Sequence, residues 1–373
     1  MKYPKYQGIG SCLLIVAALT ACKTGESPVS ERPRESEMNR RIDGDLTDKT
    51  LSMSLAANKT AVKTTTTRTK TYVSYFTGDA ADVKPATTAS LLLVGGGLDR
   101  DDAMQWFINR SGKGDIVVLR ESGSDGYNTW MLAKGANSVE SIVFSSAAAA
   151  NDPVILDKVR RADGIFFAGG DQQNYLKYFK DTGIETEVNA AAARGVPVGG
   201  TSAGLAILGQ FSYPAINSSA TSAVALANPY DVSVMIAKDF LSFPVLGNVI
   251  TDSHFVARDR MGRSLTFMAR IIKDGLSPSI RGVAVDETVA IGIDENKQGF
   301  VFADAGGKAY MLASTQAPVR CEAGVPLTFN NVSVYRIGQG SSFNFNTWTG
   351  TNGTAYSLSV NSGVITSTNG SIY

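Results

Sequence analysis

The sequence holds one histidine, His254, among 373 residues. Any chemistry that needs an imidazole must use that residue, and a zinc site built from several histidines is excluded. Cysteine is nearly as scarce, limited to Cys12, Cys22 and Cys321. An excess of either charge is also missing. The 35 lysines and arginines face 34 aspartates and glutamates, a formal net charge of +1. That balance gives no footprint for a nucleic-acid partner, and none is expected. The apolar stretch "CLLIVAALTA" at residues 12–21 is too short to cross a bilayer, which takes about 20 apolar residues. What remains is ordinary for a globular chain, 43% apolar and 18% charged, and long enough for a large core.

The N-terminus reads as an address rather than as fold. Lys2 and Lys5 precede the apolar stretch, which ends in "LTAC". Leu19, two small or hydroxyl residues and Cys22 resemble a bacterial lipobox. The resemblance implies cleavage before Cys22 and lipid on that residue, tethering an exported protein to a membrane surface. An ordinary secretory signal is the alternative. Lys23 favours the outer membrane, so the expected location is outer membrane and periplasm or cell surface. With Cys12 removed and Cys22 lipidated, Cys321 is left as a packed thiol without a disulfide partner.

Composition divides the chain into a leader (1–21), a polar spacer (22–88), a main α/β domain (89–340) and a β-rich tail (341–373). The spacer, with its "NKTAVKTTTTRTKT", has too few bulky apolar residues to offset the entropy of ordering. "TYVSYFTG" within it is a candidate early strand. From residue 90, buried-strand patterns such as "SLLLVGGG", "DIVVLRESG" and "GIFFAGGDQ" alternate with helical ones such as "RDDAMQWFINRSG" and "EVNAAAARG". This alternation predicts βαβ units around a mostly parallel sheet. After about residue 280 the pattern turns to strands, and the Ser/Thr/Asn/Gly-rich stretch from 341 predicts a small β tail.

The stretch "PVGGTSAGLAIL" at 197–208 places Ser202 in a G-x-S-x-G pattern between a strand and a helix. A nucleophile elbow has this context: a sharp turn exposes the serine, and the N–H of the next residue, Ala203, can stabilise an oxyanion. A tight packing turn or a phosphate loop is the plainer reading. A serine also needs a base, and only "ITDSHFVARDRMGRSLTFMAR" at 250–270 offers one, His254. Around it stand Asp252, Arg258, Arg260 and Arg263. Clustered arginines fit planar anions such as carboxylates, although a solvated helix start would look similar. "FFAGGDQQNYL" at 166–176 supplies a second strand-end turn. Gly170 there is a candidate oxyanion donor, Gln172 a substrate contact, and Asp171 either a substrate contact or a helix cap.

Taken in order, "FFAGGDQ", "GGTSAG" and "TDSHFVARDRMGR" resemble the cyanophycinase family of serine peptidases, relatives of aspartyl dipeptidases. "LLLVGGG", "GDIVVLRESGSDGYN" and "VAVDETVAIGID" are similar to family segments too, so the likeness runs from about 90 to 340. It implies a class I glutamine-amidotransferase-like, flavodoxin-like α/β/α sandwich. It implies Ser202 as nucleophile, His254 as general base, and Gly170 and Ala203 as oxyanion donors. Gln172, Asp252, Arg258, Arg260 and Arg263 would line a pocket for a peptide or a cyanophycin-like polymer. No metal or organic cofactor is implied, and a homodimer is left open. Two departures stand out. The family places a glutamate between serine and histidine, yet residues 203–230 contain no acid. Asp231 or Asp239 would have to substitute, or a water or amide would orient His254. Ser253 stands where cyanophycinases proper carry glutamine, which bears on the substrate. A non-catalytic binding lipoprotein on the same fold, and an α/β-hydrolase esterase, are the rival readings.

Overall fold

The computed structural model describes residues 71–373. The leader, Cys22 and most of the expected spacer lie outside the described residues. The strands are β1 (Tyr72–Gly78), β2 (Leu91–Val94), β3 (Asp115–Arg120), β4 (Ser138–Phe144), β5 (Gly164–Phe167), β6 (Val198–Thr201), β7 (Phe211–Ser212), β8 (Ala237–Lys238) and β9 (Val249–Asp252). They continue with β10 (Arg281–Val285), β11 (Ala290–Ile293), β12 (Gln298–Phe302), β13 (Lys308–Ala313), β14 (Arg320–Glu322), β15 (Val325–Gly338), β16 (Ser342–Asn344), β17 (Thr349–Thr351), β18 (Thr354–Asn361) and β19 (Val364–Ser367). The helices are α1 (Asp101–Arg110), α2 (Asn128–Ala133), α3 (Pro153–Arg161), α4 (Gln172–Phe179), α5 (Gly183–Ala193), α6 (Ala203–Ala206), α7 (Ser222–Ala227) and α8 (Met261–Lys273).

Two sheets form. The first has the order β1-β4-β3-β5-β6-β2-β11-β12-β16-β17. Its centre, from β4 to β2, is parallel, and its flanks are antiparallel. The central strands are buried on both faces, as the unbroken apolar runs "LLLV" and "GIFF" require. Leu92, Val118 and Phe166 face the apolar sides of α1 and α2. Leu93, Leu119 and Phe167 turn the other way, towards α3, α4 and α5. The α/β class and the parallel centre are therefore as expected.

The second sheet, with the order β19-β18-β15-β13-β10-β9-β7-β8, is mostly antiparallel. One of its faces, with Val249, Val283 and Met311, shares the core of the first sheet. The other, with Ile250, Ala284 and Leu312, packs on α8. Residues 341–373 are β-rich, as predicted, but they complete both sheets. β16 pairs with β12 in the first, and β18 pairs with β15 in the second. At the other end, Tyr72–Gly78, the candidate early strand, forms an edge strand on β4 within the segment read as spacer. Cys321 is a buried free thiol, and burial pushes its pKa up to about 11.

Candidate active site

β5 and β6 lie side by side, so the turns at their carboxyl ends meet. β6 ends at Thr201, and the chain then reverses into α6 through Ser202 at φ 54°, ψ −114°. Positive φ is costly for a residue with a Cβ, and persists only where surrounding contacts impose it. Here they do. The Ser202 N–H donates to Val94 O at 3.0 Å. The Thr201 hydroxyl donates to the buried Asp99 carboxylate at 2.7 Å. A Cβ on Gly200 would run into the carbonyl of Gly204, and one on Gly204 into the carbonyl of Phe167. Both glycines of the pattern are thus needed for α6 to dock this tightly behind the serine. Ala203 opens α6, so its N–H has no acceptor within the helix.

The imidazole comes from the other sheet. β9 ends at Asp252, and His254 follows in the loop to α8, also at positive φ (47°). Its N–H donates to Gly95 O at 2.8 Å. The Asp286 carboxylate accepts from Val256 N–H at 2.9 Å and Ala257 N–H at 3.0 Å, pinning the residues just beyond. The Ser202 hydroxyl then lies 2.7 Å from His254 Nε2. His254 Nδ1 lies 2.6 Å from a Glu287 carboxylate oxygen. The glycine-rich end of β2 seals one side: a Cβ on Gly96 would sit 2.5 Å from the imidazole. Ser202 and His254 are 5% and 1% exposed, so their hydrogen bond is sheltered from bulk water.

Glu287 corrects an expectation. The orienting acid was sought between Ser202 and His254, at Asp231 or Asp239. Asp231 instead accepts from the N–H and hydroxyl of Ser233, and Asp239 accepts from the Gln210 side chain. Glu287 lies after the histidine, in the turn between β10 and β11, within the segment "VAVDETVAIGID". That segment was visible in the sequence; the assumed order of the residues concealed its contact with His254. Asp286, Gly96 and Asp99 were missed as well. Nothing local marks them, since each acts on residues far away in the chain.

The charged residues near His254 separate into two groups. Asp252 and Arg263 are 5% and 2% exposed and bind each other. Arg263 Nε donates to Asp252 at 2.8 Å, and Ser264 Oγ and Ser253 N–H donate to the same carboxylate. The Arg263 guanidinium also lies over the Tyr213 ring at 5.0 Å. This pair is an internal strut, so the expectation that both line the substrate pocket is corrected. Burial alone would raise the Asp252 pKa, but the charges of Arg263 and Arg260 outweigh it and hold the carboxyl below its usual range. Arg260 is mostly buried and donates to Ser253 O at 2.8 Å. Burial pushes its pKa down to about 10, against the pull of Asp252, so it remains a cation at neutral pH. Arg258 is half-exposed, with Nε 3.7 Å from Glu287.

Gly170 and Gln172 follow β5. Gly170 has φ 143°, and a Cβ there would collide with the Glu121 carboxylate, which takes the N–H of Asp171 at 3.0 Å. Asp171 caps α4 by accepting from Gln173 N–H at 2.9 Å. Gln172, half-buried, is the first residue of that helix. Among the described residues no group of three or more His, Cys, Asp or Glu is arranged to hold a metal ion.

Comparison with known proteins bears on this geometry. The model of Peptidase family S51 matches residues 129–230, a stretch that contains Gly170, Gln172, Ser202 and Ala203. The cyanophycinase of Geminocystis herdmanii is 24% identical over 279 residues, covering 70% of this chain and 96% of the relative. The cyanophycinase of Trichormus variabilis is 24% identical over 275 residues, covering 69% and 86%. A crystal structure of a peptidase from an acI-B1 Actinobacterium covers 69% of this chain and 97% of its own, at 16% identity and TM-score 0.45. The chain is thus similar to cyanophycinases over nearly the full length of these curated relatives, and residues 129–230 match the model of Peptidase family S51.

Proposed function

We propose that this protein is a serine-type exopeptidase or isopeptidase that hydrolyses aspartyl or β-aspartyl peptide bonds through an acyl-enzyme on Ser202. The observation that carries the reading is the chain of contacts from Ser202 Oγ to His254 Nε2 at 2.7 Å and from His254 Nδ1 to Glu287 at 2.6 Å. As Ser202 Oγ attacks the scissile carbonyl, Nε2 takes its proton. The imidazolium so formed is stabilised by the Glu287 carboxylate, which accepts from Nδ1–H and fixes the tautomer. The N–H groups of Ala203 and Gly170 are the candidate donors to the oxyanion, a contribution of about 3–4 kcal/mol per donor in comparable sites. His254 then returns the proton to the leaving amine and activates the water that cleaves the ester.

The substrate class rests on charge. Arg258 and Arg260 are cations on the loop that carries the base, and suit carboxylates on either side of the scissile bond. Both curated relatives are named cyanophycinase, which supports an aspartyl-type substrate. The binding-only reading was motivated by a missing orienting acid, and Glu287 at Nδ1 removes that motive.

The test is incubation of the protein with cyanophycin and with a panel of α- and β-aspartyl dipeptides, followed by mass spectrometry of the products. Release of aspartyl-containing products that disappears in Ser202→Ala is the expected result. A folded wild-type protein that cleaves no member of the panel would exclude the reading.

A further inference from the structure

The loop at residues 253–260, between β9 and α8, carries His254, Arg258 and Arg260. Its first half is pinned by Gly95 and Asp286, as described above. Its second half is pinned by a residue from a distant part of the chain. The Tyr373 hydroxyl donates to the Asp259 carboxylate at 2.8 Å and accepts from Met261 N–H at 3.0 Å. Met261 is the first residue of α8, whose N-cap residue, Arg260, offers no side-chain cap. The Tyr373 phenol therefore supplies, from 112 residues away, an acceptor for a first-turn N–H that has none within the helix.

The ring does a second job. It meets the Phe255 ring edge-on at 5.9 Å and the Tyr310 ring at 5.9 Å. Phe255 is fully buried and directly follows His254. Tyr373 is itself held in place: the Tyr356 hydroxyl donates to Ile372 O at 2.9 Å. Burial raises the Tyr373 pKa well above the ordinary phenol range, so the hydroxyl keeps its proton and remains a donor to Asp259.

We propose that Tyr373 is a positioning residue for the catalytic loop: its hydroxyl caps α8 and fixes Asp259, while its ring backs Phe255 and so sets where His254 stands. The inference rests on the reading of Ser202 and His254 as nucleophile and base. It adds that the segment following β19, outside the elements that supply Ser202, His254 and Glu287, tunes their alignment.

The single histidine makes the test clean. In protein with labelled histidine and no tag, one imidazole resonance reports on His254 alone. The full chain is compared with Tyr373→Phe, which keeps the ring and loses both hydrogen bonds, and with Asp259→Ala, which removes one bond from the exposed side. The expected result is a displaced or broadened imidazole resonance in both variants. For a substrate that the wild type cleaves, kcat falls about 10- to 100-fold in Tyr373→Phe, as small misplacements of reacting groups can cause, with a smaller change in KM. An imidazole resonance and a kcat unchanged in both variants, whatever happens to the melting temperature, would overturn the proposal and leave Tyr373 a stability contact only. If Tyr373→Phe does not fold, Asp259→Ala decides in the same way. If the wild type cleaves nothing, the peptidase reading fails while the resonance still judges the positioning claim.

Discussion

His254 is held from several sides: its backbone N–H on Gly95, its Nε2 on Ser202, its Nδ1 on Glu287, and its ring close to Gly96. A strained backbone is maintained at both His254 and Ser202, so the fold itself holds the hydroxyl and the imidazole at hydrogen-bond distance. Glu287 is the part of this arrangement with the sharpest consequence. In Glu287→Gln the amide cannot stabilise an imidazolium and can present an N–H to Nδ1, favouring the wrong tautomer. We expect kcat to fall by about 10³- to 10⁴-fold, the scale seen when a triad acid becomes an amide, with KM little altered. Steady-state kinetics on the cleaved aspartyl substrate measure it, and a kcat within threefold of wild type would rule the role out. The turn at Ser202 could be read from the sequence because the serine's neighbours must be small for reasons that are local, and His254 because it is the one histidine. Glu287 was not, because nothing along the chain says which carboxylate a histidine will meet after folding.

β9 and α8 bracket the loop that carries His254, and the Asp252–Arg263 pair ties one to the other. Both residues are buried, so Asp252→Asn would leave the Arg263 guanidinium without its countercharge. Loss of one partner of a buried pair costs about 3–5 kcal/mol, and chemical denaturation of the variant should show a loss of that order. The pH dependence follows from the depressed Asp252 pKa. Its contribution is present above the unfolded carboxyl value of about 3.9 and is lost as pH falls through the lower folded value. The variant should therefore lose less stability on acidification than wild type; parallel acid curves would show that the pair contributes nothing. From the sequence, the same charges looked like a substrate pocket. Four charged residues near one histidine read alike whether they face a ligand or each other, and only burial separates Asp252 and Arg263 from the half-exposed Arg258. The strand pattern of residues 341–373 was legible for a related reason: alternation fixes an element, while the sheet that it joins depends on free edges elsewhere.

The two sheets meet at the site. Ser202 stands at the end of β6 in the first sheet, and His254 follows β9 in the second. Glu287 lies in the crossover from β10 of the second sheet to β11 of the first. Their registry is therefore set by how the sheets pack through the shared core of Leu93, Val285 and Val289. Parallel strands of the first sheet bring Gly170 and Ser202 to the same edge, which is where ligands bind in α/β folds. The class of fold could be read from the alternation of strands and helices. The second sheet's part in the active site could not, since β9, β10 and β13 look in sequence like any other short buried strands.

The most direct measurement treats the wild-type protein and Glu287→Gln with a fluorophosphonate, which phosphonylates activated serines, and locates the adduct by intact mass and peptide mapping. The account predicts rapid one-to-one labelling at Ser202, slowed by orders of magnitude in Glu287→Gln. A folded wild-type protein that stays unlabelled at Ser202, or a variant labelled as fast as wild type, would contradict it.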